Sequence, residues 1–505
     1  MRKKIKVMHS MTAILLIPVI TAIICYNIRT PRVIGYVSLL GVGALAACAY
    51  PTIAASVAGP ISALNGLLFM DALSGYIMGL VIFLSLASAA YSISYLEHEF
   101  DAGLTNLRGM RMYYGLLHLF IFTMLVVTMA NNLAVMWIGI EATTIVSALL
   151  IGLGFHKRPL AVEAAWKYII LCTVGITFAL LGTFITYYAS TTIIGAEGAL
   201  NWTVLKGIAA QLNPETMKLA FVFVLVGYGT KAGLAPMHNW LPDAHSQAPS
   251  PISALLSGIL LNTAFYGIIR FVSIVEPSTG NAFTGNLLIL FGMISIGISS
   301  VFILVQDNFK RLLAYSSIEH MGIISLGIGI GGPVGIYGAL LHILNHALAK
   351  PLMFFASGKI QSRFGTTNIA NVNGVLTSMP LLGTLTFIGA LSLSGTPPFN
   401  IFLSEFTVLK AAVDRGLWPV VGLFILFVVI VFYGVLSGFG KMLFGKPGEA
   451  NSLHTGGGPA KFNAGTLLAN GVMIVMAALV IMLGLNVPAV IDNTIRTCAR
   501  VLGAY

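Results

Sequence analysis

Two charges stand inside apolar runs: Glu141 in AVMWIGIEATTIVSALL and Lys231 in VFVLVGYGTKAGLAP. A charge at mid-membrane costs on the order of 3 kcal/mol on insertion scales, so each needs a pairing or a task. A carboxylate and an ammonium sharing a dry interior partly offset each other's desolvation and are placed to exchange a proton. The competing reading, a structural ion pair that fixes helix packing, weakens as further charges join. The string HILNHALAK puts His342, His346 and Lys350 at i, i+4 and i+8 on one helical face, a row of roughly 12 Å. Imidazole is the side chain best able to pass a proton near neutral pH. HxxxH also suits a metal or a haem, but the metalloprotease pattern needs a glutamate where Ile343 stands, and no carboxylate adjoins the pair in sequence.

More titratable groups extend the set. Glu405 lies just past the double proline of SGTPPFNIFLSEF, and Glu319 and His320 follow Lys310 and Arg311 by two to three turns. Lys310 and Arg311 also suit a loop that marks the cytoplasmic side. His238, Asp243 and His245 crowd the end of an interrupted helix, either to admit protons or to cap that end. Glu163 and Lys167 form an i, i+4 pair read as structural. No catalytic residue, metal or cofactor is expected.

The elements that must position these groups are membrane helices. The chain has 505 residues, 57% hydrophobic and 9% charged, with a mean hydropathy of +0.92. Soluble domains carry about a quarter charged residues. Apolar runs of roughly 18 residues or more, each able to cross about 30 Å of hydrocarbon, recur throughout. The expected fold is all-α and integral to the membrane, with fourteen helices near 11–28, 33–58, 69–95, 113–130, 132–154, 162–189, 217–245, 251–274, 283–305, 311–331, 333–358, 380–412, 418–443 and 465–490. Two are interrupted: the seventh at Gly233 and Pro236, the twelfth at Gly395, Pro397 and Pro398. Broken helices at matching places in two halves point to a cavity-lining transport site. An inverted repeat is expected, with segments at 113–274 and 283–443 after three opening helices in 1–112 and before a last helix and tail in 465–505.

Other functions find no support. The net charge of +11 is spread over short loops and never forms an aromatic-laced nucleic-acid patch. Cys25, Cys48, Cys172 and Cys498 form no CxxC pair, which excludes a disulfide framework or iron–sulfur site. Phosphate-binding glycine loops and a nucleophile elbow are absent. If the N-terminus is outside, Arg29, Arg32, Arg108, Arg111, Lys157, Arg158, Lys310, Arg311, Lys359, Arg363, Lys441, Lys446 and Lys461 gather on one side, against the vote of Arg2, Lys3, Lys4 and Lys6. The larger set places both termini outside a cytoplasmic membrane. The basic start followed by an apolar run imitates a signal peptide but reads as a retained helix.

The segments KAGLAPMHNWLPDAHSQAPSPISALLSG (231–258), DNFKRLLAYSSIEHMGIISLG (307–327), LLHILNHALAKPLMFFASGKI (340–360) and GTPPFNIFLSEF (395–406) resemble the antiporter-like membrane subunits of respiratory complex I, energy-converting hydrogenases and multisubunit sodium/proton antiporters. The resemblance implies fourteen helices, two inverted five-helix repeats, and proton translocation through Glu141, Lys231, His342, His346, Lys350 and Glu405, with Lys310 also on a family lysine. Several relatives have lysine where SGILLNTAFYG carries Asn262, so a bridging water is needed there. VEAAWKYIIL, SSIEHMG and Asn262 together look most like the F-type subunit of the hydrogenase and formate hydrogenlyase branch. The implied partners are lipid, further antiporter-like and quinone- or hydrogenase-anchoring membrane subunits, and peripheral subunits with nickel–iron or iron–sulfur centres. The subunit itself would be non-catalytic; sodium/proton exchange and a scaffold role are the rival expectations.

Overall fold

The computed structural model describes residues 2–153, 159–445 and 464–503, with side chains omitted for residues 2–8 and 153. Lys157, Arg158, Lys446 and Lys461 of the topology argument, and the side chains of Arg2, Lys3, Lys4 and Lys6, lie outside the described set.

The chain opens with α1 (Arg2–Asn27) and α2 (Pro31–Ala58), then a small antiparallel hairpin, β1 (Ile61–Ala63) and β2 (Leu68–Met70). Helices α3 (Ala72–Asp101), α4 (Leu107–Met129), α5 (Leu133–Ala148), α6 (Pro159–Ile194) and the short α7 (Trp202–Ile208) follow. The interrupted segment is α8 (Pro214–Ala232) and α9 (Leu241–Gln247). Next come α10 (Ser250–Leu255), a π-helical turn at Leu256–Leu260, α11 (Leu261–Thr279), α12 (Asn281–Leu304), α13 (Phe309–Ile330) and α14 (Gly332–Phe364). The single turn α15 (Val375–Ser378) leads into the second interrupted segment, α16 (Pro380–Leu393) and α17 (Asn400–Asp414), and then into α18 (Trp418–Leu443), α19 (Ala464–Leu485) and α20 (Ala489–Val501).

Asparagines start several of these helices. Asn106, Asn132, Asn213 and Asn308 each accept a hydrogen bond from a backbone N–H of the first turn, satisfying one of the orphan donors there. Twelve helices among the described residues are long and apolar enough to cross a membrane, and every segment expected to be helical contains helix. The two interrupted segments are not among those twelve: α8, at 19 residues, carries Glu215, Lys218 and Lys231, and α16 and α17 are too short. Departures from expectation are the hairpin at 61–70, the extra α7, and α20, which folds residues expected to be tail.

Burial sorts the helices. The α10–α11 span, α13 and α14 are wholly inside the bundle, whereas α1, α2, α6, α12, α18 and α19 keep most of their surface outward. Outward positions are apolar, including Leu40, Ile138, Val174, Tyr188 and Val429, as lipid contact requires. Close packing depends on glycine: a Cβ at Gly292 would fall 2.7 Å from the Gly322 carbonyl oxygen, and one at Gly285 2.6 Å from that of Gly329. These positions let α12 and α13 meet backbone to backbone.

Both helix breaks find protein partners for their backbone. At the first, Gly233 adopts φ +79°, Ala235 N–H donates to Ser295 Oγ (2.9 Å), and Trp240 Nε1 donates to the Thr230 carbonyl (2.8 Å). At the second, Gly395 adopts φ +68°, and Asn345 Nδ2 donates to the Asn400 carbonyl (2.7 Å). Ser392 Oγ donates to Asn400 Oδ1 (2.8 Å). The breaks therefore persist inside an apolar bundle without exposing orphan groups to lipid.

Candidate functional site

Lys231 occupies the last turn of α8, fully buried, because the break at Gly233 stops the helix at that depth. Its ammonium donates to Thr144 Oγ1 of α5 at 2.8 Å and to the Tyr168 hydroxyl of α6, and it lies 4.6 Å from the Tyr168 ring. Ser147 Oγ is also hydrogen-bonded to Tyr168, at 2.7 Å. Glu141 does not share this dry interior with Lys231, contrary to expectation. It is half-buried on α5, where Thr173 of α6 donates to Oε1 at 2.8 Å and Thr144 reaches Oε2 at 3.4 Å. Thr144 thus stands between carboxylate and ammonium: one helical turn separates it from Glu141, and that turn carries Glu141 toward the outer face of the bundle.

The row on α14 is as the spacing requires: His342, His346 and Lys350 all have 0% exposure. Lys350 donates to Ser316 Oγ at 2.7 Å and to the Leu313 carbonyl at 2.9 Å, both on α13. Ser316 is one turn before Glu319 in the sequence. The π-turn before Asn262 packs against this helix, since a Cβ at Gly258 would meet the Pro351 ring at 2.9 Å. Asn262 is buried, donates to the Gly258 carbonyl at 2.8 Å, and leaves Oδ1 without a partner. No hydrogen bond joins Lys231 directly to the α14 row.

Glu319 and His320 of α13 and Glu405 of α17 converge: one donor atom from each lies within 4.8 Å of the others. His320 Nδ1 is 3.1 Å from His342 Nε2, and its ring is 5.3 Å from that of His346. His342 Nδ1 is 2.9 Å from Ser404 Oγ. The two carboxylates thus gather around His320, whose ring in turn touches the histidines of α14. Packing, not sequence neighbourhood, sets that contact.

At the other end, Asp243 is held by Arg311 and by Lys167, the latter at 3.4 Å, while Lys167 also pairs with Glu163 at 2.6 Å. This network clamps α9 to α6 and α13. His245 is not at a mouth but fully buried, and both its ring nitrogens lack partners. Trp240 separates it from Lys231, with ring centroids 4.7 Å from Tyr168 and 6.1 Å from His245. His238 is also buried, with Nδ1 unpartnered, and packs edge-on to Tyr315. Lys310 is no loop residue: it is 2% exposed and donates to the Ala248 carbonyl at 2.7 Å. It borders a cavity of about 390 Å³ with Gln247, Asn308 and Gln361.

A buried ion pair lies outside the residues singled out from the sequence. Arg270 Nη1 and Nη2 donate to the two carboxylate oxygens of Asp71, each at 2.6 Å, and Nη2 also donates to Ser74 Oγ at 2.8 Å. The guanidinium lies 4.3 Å from the Trp202 ring and 4.8 Å from the Tyr266 ring. Burial alone would raise the Asp71 carboxyl, but the Arg270 guanidinium outweighs it and holds the group below the usual carboxylate range. An arginine within the apolar run GIIRFV was the available signal.

Residues 130–431, more than half of the chain, match the family described as NADH:quinone oxidoreductase/Mrp antiporter, transmembrane. The chain belongs to this family. Among its relatives, the antiporter family member termed hydrogenase-4 component F homolog, from Methylacidiphilum infernorum, is 40% identical over 69% of this chain and 73% of its own length. NADH-quinone oxidoreductase subunit N of Desulforudis audaxviator is 29% identical over 85% and 84%. A chain of the Mrp complex from Dietzia sp. DQ12-45-1b superposes with a TM-score of 0.83 at 20% identity, covering 100% of this chain and 99% of that one, a likeness of fold. The protein is thus an antiporter-like, multi-span membrane subunit of the hydrogenase, complex I or Mrp type.

Proposed function

We propose that this subunit conducts protons laterally inside the membrane, from Lys231 through the α14 row to Glu405, as part of a redox-driven complex. The observation that carries this reading is the run of buried, titratable groups with unfilled hydrogen-bonding capacity: His245, His346, His320 and Glu319 each keep at least one unpartnered atom. Buried polar atoms are normally satisfied, and a relay needs acceptors held open for a proton or a water. The hydroxyl of Thr144 holds Lys231 one step from Glu141, so a change of lysine partner makes or breaks a connection.

The likeness to a hydrogenase component supports a redox complex with membrane and peripheral partner subunits, the two matching breaks support repeats at 113–274 and 283–443, and the gathering of basic residues on one side supports both termini outside. Glu141 supports a neighbouring membrane subunit in particular. With exposed Ile138, Ile145 and Val174 around it, its half-buried carboxylate would otherwise face lipid. A neighbouring protein that presents a donor at that depth removes the cost.

The test is Lys231→Met in the assembled complex, reconstituted in proteoliposomes. Proton uptake is expected to fall at least tenfold while electron transfer persists. Normal uptake would favour a scaffold role, and sodium-dependent transport insensitive to protonophore would favour cation exchange.

A further inference from the structure

We propose that Glu319, His320 and Glu405 form a binding site for one divalent transition-metal ion of the zinc class. Ser404 Oγ lies 2.9 Å from both the Ile401 carbonyl and His342 Nδ1 and accepts from Asn345 Nδ2 at 3.0 Å; in the arrangement that gives its hydrogen to the carbonyl, it accepts from His342 Nδ1. His342 then carries its proton on Nδ1 when neutral, and its Nε2 is an acceptor. That acceptor is 3.1 Å from His320 Nδ1, which must then be the N–H of that ring. The chain of donors leaves His320 Nε2 with a lone pair. It is buried and unpartnered, and it faces the equally unpartnered Oε2 of Glu319 at 4.0 Å.

Two lone pairs face each other there, and the Glu405 carboxylate completes the group within 4.8 Å. Such a cluster of acceptors calls for a cation among them. Two carboxylates and a neutral imidazole give a 2− set that a divalent ion neutralises. The nitrogen donor disfavours sodium and magnesium, which prefer oxygen, and suits zinc. Tetrahedral zinc at about 2.0–2.2 Å from each ligand needs donors about 3.4 Å apart, which small carboxylate rotations supply. His320 also has the outer support common to metal-bound histidines, since its second nitrogen is fixed by His342 and Ser404. The α16–α17 break lies beside the group: Pro397 and Pro398 are exposed, and the Glu405 carboxylate lies against half-buried Gly395. An ion bound here would immobilise the acceptors of the proton row. Binding is independent of the proton-conducting reading; only arrest of conduction rests on it.

The experiment uses the purified complex, stripped with chelator and titrated with zinc chloride, with bound metal counted and examined by zinc X-ray absorption. The parent is expected to bind one more equivalent than Glu405→Gln or His320→Asn, the difference spectrum showing only nitrogen and oxygen ligands including one imidazole. Ser404→Ala, which removes the partner of His342 Nδ1 and one of the acceptors of Asn345 Nδ2, is expected to weaken that equivalent by about tenfold or more. Equal stoichiometry and half-saturation in the parent and in whichever of these variants assemble would overturn the site, as would sulfur in the difference spectrum. In proteoliposomes, loss of zinc inhibition in the variants supports arrest at this site. Zinc binding without any effect on uptake keeps the site and counts against the conduction reading instead.

Discussion

Replacing Thr144 by valine keeps shape and removes a single hydroxyl. Lys231 then keeps only the Tyr168 hydroxyl of its two side-chain partners, and Glu141 keeps only Thr173. A hydrogen bond to a charged group contributes about 1.5–3 kcal/mol net, and each 1.4 kcal/mol is a factor of ten. If Thr144 is the step between Glu141 and Lys231, proton uptake should therefore fall between about tenfold and a hundredfold. The assay is initial proton uptake by the complex in proteoliposomes, with electron transfer measured in parallel. Thermal stability in detergent, read on the same preparation, should fall modestly. Uptake within twofold of the parent alongside lowered stability would refute the reasoning, since the hydroxyl would then be a packing partner alone.

Asp71→Asn should destabilise the protein by about 3–5 kcal/mol in thermal unfolding, because it leaves the buried Arg270 without its anion. The folded Asp71 carboxyl lies below its unfolded value near 3.9, so its contribution is complete above that pH and is lost as pH falls through the lower folded value. The stability gap between parent and variant should thus be the same at pH 7 and pH 5 and shrink only below about pH 4. Gly395→Ala puts a Cβ 3.1 Å from the Glu405 carboxyl carbon at φ +68°, and should reduce proton uptake by displacing that side chain. Gly365→Ala, at φ +69° but with nothing within 4 Å, carries the same strain of about 1–2 kcal/mol and should leave uptake near the parent's.

Much of the site was legible because charge is rare here. Lys231, Lys350 and the two α14 histidines stand out from apolar surroundings, and helical spacing alone puts three of them on one face. The hydroxyls that hold them were not legible. Thr144 and Ser316 look in sequence like Thr143 and Thr183, which merely bond the carbonyls of their own helix at Ile140 and Ala179. The same residue type serves both ends, and only packing separates them. Glu319 and Glu405 belong to different helices far apart in the chain, so their meeting depends on how α13 and α17 dock. Asn262 was expected to be the weak stretch, yet the larger interruption beside Lys231 is Trp240, whose ring stands before His245. The hairpin at 61–70 did carry a signal in Asn65 and Gly66, but strands of three residues are too short for alternation to register.

The hydroxyl between Lys231 and Glu141 also bears on the tempo of the proposed relay. Exchanging Thr144 for Glu141 as the partner of Lys231 asks for torsions about four methylenes and leaves every helix where it is. Side-chain torsions of this kind relax in picoseconds to nanoseconds at exposed sites, while movements of packed helices take microseconds to milliseconds. Even slowed greatly by burial, such a contact can open and close many times within one turnover. If the subunit conducts protons as proposed, a relay built this way follows the charge state of its neighbours at near-equilibrium.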